Sequence, residues 1–380
     1  MDRHFLLQNS FELKSYGWGA CARFFPNCTK AVIFFAHRAP FIADIVRQRY
    51  SEYFEAPEDF FIDYEAAAID ETGVAYNCTN GSGIFYFHIE SGEILEIARD
   101  VTVRARVPLA CCAGNLAYAT DTGIQICSIN ENSSGIHIQK AVDPSSKLLF
   151  HPSGSFIVFM NSSCVSAYQL KNSIEMWELT PSEWFTRKDY WEFTPDGKYF
   201  ILCPYEESIR ICNSFTGREL AFFRKGNDDD VTEAHLSPDG NLLISSSCDG
   251  KLRVWDFEKA LKLARGGVYR GGPYGEDNLV LNGSLAGHKE KGVSSVSPSP
   301  DFKAAISYTQ WDRTFYLWDL KNCQLLGQLS FEYPVDDYKI LWNGSNAKLF
   351  VAENTDGMSF GGPVPHSGPS RIRISEMMVR

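Results

Sequence analysis

The residues best suited to chemistry in this chain are a run of three acids, Asp228, Asp229 and Asp230, and a set of aromatic residues in loop-like segments. Those aromatic residues are Trp18, Trp184, Phe185, Tyr205 and Trp311. Aromatic side chains bury a large area at a small entropy cost, and clustered carboxylates attract Lys and Arg. Together they predict a surface that binds partner proteins or basic peptides. The alternative is that the Trp residues pack internally and the Asp run is merely solvated.

Motifs for catalysis and metal binding are missing from the sequence. It contains no GxSxG, HExxH, P-loop or glycine-rich dinucleotide turn, and the eight histidines show no ligand spacing. We therefore expect no cofactor and no metal, and an enzyme would have to assemble its site from distant segments. The formal charge of −11 disfavours DNA binding, because phosphate neutralisation requires a basic face. With no long apolar run and no signal peptide, we expect no membrane association and a cytoplasmic or nuclear location.

The segment RGGVYRGGPYG has a composition found in contacts to single-stranded RNA. Arg265 and Arg270 alternate with Tyr269 and Tyr274 among glycines, which would combine backbone charge with base stacking. Two arginines neutralise few phosphates, however, and the acids of Glu276-Asp277 follow at once. RNA contact is therefore the second alternative, and a spacer loop is the favoured interpretation.

The element that must position these residues is clearest between Val231 and Phe257. This stretch reads as three short strands joined by Pro-Asp-Gly and Asp-Gly turns and ending in Trp255-Asp256. Three antiparallel strands in about 27 residues bury too little apolar surface to fold alone. The unit must therefore pack against others like it.

Related units repeat along the whole chain at intervals of about 40 to 44 residues, with the last two intervals longer. The predicted third strands are residues 41–46, 84–89, 124–129, 165–170, 209–214, 252–257, 315–320 and 371–377. A fourth, outer strand follows most of them. Four antiparallel strands per repeat predict an all-β fold, a single closed β-propeller over residues 1–380 with eight four-stranded blades, or seven as the alternative.

Two further features of the propeller follow from the sequence. The apolar N-terminal segment 4–11 has the register of an outer strand, so it should complete the last blade and close the ring. Residues 258–277 and 357–369 interrupt the repeat. The first insertion begins as a possible helical turn, EKALKLA, and the Gly and Pro content of both predicts loops. A closed ring also has a central channel lined by the innermost strands. Aligning these strands on His235 places Arg23, Glu192 and Lys339 there, within a mixed polar ring.

The chain resembles the WD-repeat propeller family in Gly287-His288, Asp312 and Trp318-Asp319, and in Asp249 and Trp255-Asp256 of the preceding repeat. The resemblance implies a hydrogen-bonded network inside a blade. Its members would be His288, Asp312, Trp318 and either Ser307 or Thr309 in the seventh blade, and Asp249 and Trp255 in the sixth. The rhythm of residues 193–256 is also similar to that of the small WD-repeat subunit of histone methyltransferase and RNA 3′-end processing complexes.

The preferred functional interpretation is a non-catalytic scaffold. The predicted acidic and aromatic residues all precede inner strands or occupy turns between second and third strands, which share one end of a propeller. We expect the protein to bind partners there as a monomer within a multiprotein complex. The first alternative is an enzyme or small-molecule binder at the central channel, where Glu192, His235 and Lys339 would converge.

Overall fold

A computed structural model of the chain describes most of its length. The described residues are 5–15, 20–35, 38–53, 67–78, 83–99, 101, 108–129, 135–143, 146–180, 190–204, 208–224, 229–271, 281–288, 292–354 and 370–379.

The first half of the chain contains an N-terminal strand and four sheets. The N-terminal strand is β1 (Phe5–Ser15). Blade 1 contains β2 (Ala20–Phe24), β3 (Lys30–Phe35), β4 (Arg38–Asp44) and β5 (Arg49–Tyr53). Blade 2 contains β6 (Ala68–Ile69), β7 (Gly73–Cys78), β8 (Gly83–His88) and β9 (Ile94–Ala98). Blade 3 contains β10 (Leu109–Cys112), β11 (Asn115–Thr120), β12 (Gly123–Ser128) and β13 (Ile136–Gln139). Blade 4 contains β14 (Lys147–Phe150), β15 (Phe156–Met160), β16 (Val165–Gln169) and β17 (Glu175–Leu179).

The second half contains four more sheets and one helix. Blade 5 contains β18 (Tyr190–Phe193), β19 (Tyr199–Cys203), β20 (Ser208–Asn213) and β21 (Glu219–Arg224). Blade 6 contains β22 (Val231–Leu236), β23 (Leu242–Ser247) and β24 (Lys251–Asp256), followed by α1 (Phe257–Ala264), β25 (Tyr269–Gly271) and its outer strand β26 (Leu281–Ala286). Blade 7 contains β27 (Ser295–Pro298), β28 (Ala304–Thr309), β29 (Thr314–Asp319) and β30 (Gln324–Ser330). Blade 8 contains β31 (Val335–Asn343), β32 (Asn346–Asn354) and β33 (Ser370–Val379).

The eight sheets confirm the predicted eight-bladed β-propeller. Each of the eight predicted third strands overlaps one of β4, β8, β12, β16, β20, β24, β29 and β33, most of them displaced by one residue. The pattern succeeded because alternating apolar residues and Gly-containing turns recur in every unit even where the Trp-Asp pair is lost.

The core of the protein lies between the blades. Eight clusters of buried apolar residues are present, and each joins one blade to the next around the ring. The cluster of Phe24, Ile33, Phe350 and Ile374 packs blade 1 against blade 8. Because every blade contributes to two clusters, a single blade buries its apolar faces only when both neighbours are in place.

The two ends of the chain meet in one sheet. β1 pairs antiparallel with β33, from Phe5 opposite Val379 to Ser15 opposite Ser370, and is the outer strand of blade 8. The N-terminal segment thus occupies the outer-strand position expected from its register. This pairing gives the last blade its fourth strand.

The insertion at 258–277 is not the loop that was predicted, because it contains a helix and a strand. Residues 257–264 form α1, capped by the Asp256 side chain, which accepts a hydrogen bond from Lys259 N at 2.8 Å. After it, β25 pairs in parallel with β21, so blade 5 has five strands. The possible helical turn at EKALKLA is thus a full helix, whereas the Gly-rich composition concealed β25. Phe257, Ala260 and Tyr269 of these elements are buried between blades 5 and 6. The second predicted loop, 357–369, lies outside the described residues.

The turns between first and second strands of blades 5, 6 and 7 share one hydrogen-bonding pattern. In blade 5, Asp196 Oδ1 accepts hydrogen bonds from Thr194 Oγ1 at 2.6 Å and Lys198 N at 3.0 Å. Gly197 has a φ of +70°, and a Cβ there would lie 2.4 Å from His151 Nε2. Only glycine allows this close approach of blades 4 and 5.

Candidate protein-binding rim and channel

Antiparallel blades give the disc two different ends. The upper end carries the loops that lead into the inner strands and the turns between second and third strands. The lower end has the other turns. Of the predicted partner-binding residues, Asp229, Asp230 and Trp311 belong to the upper end. The other five, Trp18, Trp184, Phe185, Tyr205 and Asp228, lie outside the described residues.

The other three predicted binding residues are brought together where blades 6 and 7 meet, and we call Asp229, Asp230 and Trp311 the acidic rim. The Asp229 carbonyl accepts a hydrogen bond from Ser247 Oγ at 3.1 Å, and the Asp230 carbonyl accepts one from Cys248 N at 2.8 Å. Val293 N in turn donates to Ser247 O at 3.1 Å. This backbone chain places the two acids beside the loop that enters blade 7.

Trp311 is the most exposed large apolar side chain among the described residues. It is 76% exposed in the turn between β28 and β29, and a Cβ added to Gly292 would lie 3.2 Å from its Nε1. Gly292 precedes Val293, so the indole lies next to the segment that contacts the two acids. A hydrophobic residue this exposed gains nothing from the fold, and its aromatic face is free to bind a partner.

The channel brings together two of the residues predicted to line it. His235 Nδ1 lies 2.8 Å from Glu192 Oε1 of the neighbouring blade, and His235 Nε2 lies 3.5 Å from Glu233 Oε2. Desolvation lowers the pKa of His235, but the hydrogen bonds and charges of the two glutamates outweigh it and raise the pKa to about 10. His235 is therefore an imidazolium ion at neutral pH, held between two carboxylates, and has no free lone pair with which to act as a base.

The other two predicted channel residues lie at the junction of blades 8 and 1. Arg23 donates from Nη1 to the Asp336 carbonyl at 3.1 Å, and Asp337 Oδ2 accepts a hydrogen bond from Phe24 N at 2.8 Å. Lys339 lies on this side as well: burial raises the pKa of Cys28 to about 12, and the nearby Lys339 charge opposes that rise. Lys339 therefore belongs to a different cluster from that of Glu192 and His235.

Three acids of the channel were missed by the sequence analysis: Glu233, Asp336 and Asp337. Glu233 accepts a hydrogen bond from Val296 N at 2.8 Å and so links blade 6 to blade 7. The sequence feature that could have revealed Glu233 is its i, i+2 spacing to His235, which puts both side chains on one face of β22. Asp336 Oδ2 is buried without a hydrogen-bond partner in the described part of the chain, and burial raises the pKa of Asp336 to about 7.

The predicted network inside blade 7 is centred on Ser307. Its Oγ lies 3.0 Å from His288 Nε2 and accepts a hydrogen bond from Trp318 Nε1 at 2.7 Å. Asp312 accepts hydrogen bonds instead from Thr309 Oγ1, Thr314 N and Tyr316 OH. Of the two hydroxyl candidates, Ser307 is thus the one that joins His288 to Trp318. Burial lowers the pKa of His288 to about 4, so its imidazole is neutral.

Blade 6 has a different network. Trp255 Nε1 donates to Ser245 Oγ at 3.0 Å, which repeats the bond seen in blade 7. Asp249, however, forms a buried ion pair with Arg253 at 2.6 Å and accepts a hydrogen bond from Lys251 N at 2.9 Å. These groups are fully engaged within the blade, so they hold its strands together.

Two side chains of the Arg- and Tyr-rich segment, Tyr269 and Arg270, are occupied by contacts within the protein, whereas Arg265 is exposed. Tyr269 is buried against Phe223, and Arg270 forms a 2.8 Å ion pair with Glu219 and lies over the Phe222 ring. Side chains engaged in this way do not offer a free stacking surface for bases. Tyr274 lies outside the described residues.

The comparisons with known proteins agree with the fold and the blade networks. The WD40 family (WD domain, G-beta repeat) matches residues 217–256 and 279–319, which include most of blade 6 and the network of blade 7. The crystal structure of the computationally designed Ika8 protein is similar in fold, with a TM-score of 0.61 and 15% sequence identity over 95% of this chain and 98% of that one. The chain is therefore a β-propeller that contains WD40 repeats at residues 217–256 and 279–319.

Several natural proteins are similar over part of their length. Transducin beta-like protein 3 of Bos taurus is 27% identical over 46% of this chain and 21% of that protein. The guanine nucleotide-binding protein subunit beta of Zea mays is 26% identical over 39% of this chain and 48% of that protein. Pre-mRNA-processing factor 19 of Schizosaccharomyces pombe is 24% identical over 48% of this chain and 38% of that protein. The chain thus spans less than half of each relative.

WD-repeat propellers generally act as protein-interaction scaffolds and are generally non-enzymatic. Among the described residues, no helix is long and apolar enough to cross a membrane.

Proposed function

We propose that this protein is a non-catalytic scaffold that binds a basic segment of a partner protein on the acidic rim. The single observation that carries the proposal is the exposure of Trp311 next to Gly292, in a segment that hydrogen bonds join through Ser247 to the segment of Asp229 and Asp230. An aromatic anchor next to two carboxylates suits a partner with Lys or Arg flanking an apolar residue. Three of the predicted residues outside the described part, Trp18, Trp184 and Asp228, would extend the same surface.

The first test removes the aromatic anchor. We expect Trp311→Ala to reduce recovery of co-purifying partners from the native cells at least about tenfold, as for a central aromatic anchor. Val46→Ala is a matched control, because Val46 is 74% exposed in a turn at the lower end of blade 1. Unchanged partner recovery by a stably folded Trp311→Ala protein would remove the rim as the binding surface.

The second test removes charge while keeping the local hydrogen bond. Asp229 Oδ1 accepts a hydrogen bond from Asp230 N at 2.9 Å, and an Asn at position 229 retains that acceptor. The double change Asp229→Asn and Asp230→Asn should weaken binding of the recovered partner and reduce its dependence on salt. Equal salt dependence in both proteins would show that the carboxylates do not contact the partner.

We further propose that the protein works as a monomer within a hetero-complex. The relative named as a guanine nucleotide-binding protein subunit beta is a subunit by its name, which is in keeping with a monomer that works in a hetero-complex. The similarity to the small WD-repeat subunit of histone methyltransferase and RNA 3′-end processing complexes stays a prediction, as does a cytoplasmic or nuclear location. Identifying the partner proteins that the Trp311→Ala variant no longer recovers tests the similarity to that WD-repeat subunit.

A channel enzyme has less support than the scaffold. Glu192 and His235 do lie together, but Lys339 belongs to the junction of blades 8 and 1, and the imidazole is protonated and paired on both sides. An imidazolium in that state cannot accept a proton, so it cannot act as a general base at neutral pH.

A further inference from the structure

The lower end of blades 4, 5 and 6 carries a surface different from the acidic rim, and we call Lys198, Phe215, Arg218, Leu263 and Arg265 the basic patch. Phe215 is 50% exposed and Leu263 is 43% exposed. The three cations are also exposed. In a chain with a formal charge of −11, a group of exposed cations around apolar side chains is unexpected.

Aromatic rings of blade 4 hold the Phe215 side chain in place. Its ring centroid lies 5.1 Å from that of His151 and 5.8 Å from that of Phe156, both in blade 4. Asn213 Oδ1 accepts hydrogen bonds from Phe215 N at 3.1 Å and Thr216 N at 3.0 Å, which fixes the turn. The exposed half of the ring is therefore presented in one orientation, and little entropy is lost when a partner covers it.

Contacts between the turns make the patch continuous. The buried His151 donates from Nε2 to Gly197 O at 2.7 Å, next to Lys198. Arg218 Nη2 donates to Gly266 O, which places the guanidinium beside the end of α1 and Arg265. Phe215 and the three cations thus occupy one surface across blades 4 to 6, with Leu263 on the neighbouring helix.

The charges of the patch are only partly matched within the protein. Lys198 Nζ lies over the Tyr199 ring, 5.0 Å from its centroid, and the Asp196 charge is the smallest of the causes that raise the pKa of Lys198. Among the described residues, no carboxylate lies within ion-pair distance of the side-chain cations of Lys198, Arg218 or Arg265. The nearby Asp196 and Asp239 are held by their own turns, accepting from Thr194 Oγ1 and Ser237 Oγ at 2.6 Å each. A partner carboxylate is therefore the natural counter-ion for the three cations.

We propose that the basic patch is a second docking surface, which takes an acidic segment of a partner protein with an apolar anchor residue. The anchor covers Phe215 and Leu263, and the acids pair with Lys198, Arg218 and Arg265. This surface lies at the opposite end of the disc from the acidic rim, so one molecule holds a basic and an acidic segment at the same time. The proposal stands independently of the rim.

A protein segment fits the patch better than a nucleic acid does. Three cations neutralise few phosphates, and the net charge of the chain repels a long polyanion. Leu263 is aliphatic and gives no stacking surface, and one face of Phe215 is occupied by His151 and Phe156.

Fluorescence anisotropy with three labelled ligands tests the proposal on the full chain. The ligands are a synthetic peptide of alternating Asp and Glu around a central Leu-Phe pair, the same peptide with Asn and Gln in place of the acids, and a single-stranded RNA of equal length. We expect only the acidic peptide to bind. Stronger binding of the RNA, or equal binding of the neutral peptide, would overturn the proposal.

Charge reversal then locates the site. Lys198→Glu should weaken binding of the acidic peptide about tenfold, and Phe215→Ser should weaken it without changing its salt dependence. Lys321→Glu is the matched control, because Lys321 is exposed in a lower-end turn of blade 7, outside the patch. An equal loss with Lys321→Glu, or no loss with a folded Lys198→Glu protein, contradicts the assignment. Trp311→Ala should leave this binding unchanged, which separates the result from that of the rim.

Discussion

Two partly buried histidines of this propeller, His288 in blade 7 and His235 in the channel, have opposite protonation states. Beside His288 the hydrogen-bond partners are neutral and the rings of Tyr316 and Trp318 lie 4.2 and 5.5 Å away, so burial keeps it uncharged. His235 lies between two carboxylates from blades 5 and 6 and stays charged. The difference teaches that the environment sets the charge of each histidine: packing and a neutral hydrogen bond hold His288 in its blade, whereas charge on His235 helps to join the inner strands of two adjacent blades.

The largest expected effect concerns packing within a blade. Trp318 is 1% exposed and donates to Ser307 Oγ, so Trp318→Ala should lower the free energy of unfolding by about 3–5 kcal/mol. Urea denaturation measures the change. Trp311→Ala is the control, since that side chain is exposed and its removal should cost less than about 0.5 kcal/mol. Equal losses for the two variants would contradict the structural role of Trp318.

The next effect is the acid sensitivity of blade 7. The folded pKa of His288 is about 4 and its ordinary value is 6.5, so the folded protein binds fewer protons in this range. Stability from this group is complete above pH 6.5 and is lost as the pH falls toward 4, by about 2–3 kcal/mol. Denaturation curves between pH 4 and 7 measure it. In the His288→Gln variant the loss of stability between pH 7 and 4 should become smaller by this amount. An unchanged pH dependence would mean that other groups cause it.

The channel should show the reverse dependence. The pKa of His235 is raised to about 10, so its stabilising contribution is complete below pH 6.5 and is lost as the pH rises through 10. Because both side chains are partly exposed, we expect Glu192→Gln to cost only about 1–2 kcal/mol at pH 7. The cost should vanish by pH 10.5. A cost that is the same at both values of pH would mean that the ion pair does not stabilise the junction.

The smallest expected effect is a gain in stability at the junction of blades 8 and 1. Burial raises the pKa of Asp336 to about 7, with the Arg23 charge opposing and the Asp337 charge assisting, so the contribution of this carboxyl is lost as the pH rises from 3.8 through 7. Asp336→Asn should therefore stabilise the protein by about 1 kcal/mol at pH 8 and by less at pH 5. Melting temperatures at the two values of pH measure the difference. A loss at pH 8 would indicate that the carboxylate has a counter-ion.

The sequence predicted the repeat far better than the site. Third strands such as β8 and β24 were located because each is a local pattern of alternating apolar residues and turns, which needs no knowledge of its neighbours. Trp311 and the Asp run were found for the same reason, since loop composition is local. Glu233 and Asp336 were missed because their importance depends on groups that the fold brings close, such as Val296 N and Arg23.

The sequence by itself determined the repeat of four-stranded units and the order of their strands, because both follow from spacing along the chain. It predicted eight blades, closed by the N-terminal strand, with seven blades as the alternative. Only the tertiary structure decided that Glu192, from another blade, stabilises the protonated form of His235, that α1 and β25 form in the predicted loop, and that Phe215 shares one surface with exposed cations. Each of these depends on side chains that lie tens of residues apart and meet only when the blades pack. Burial and charge at such junctions have no signal in a local pattern.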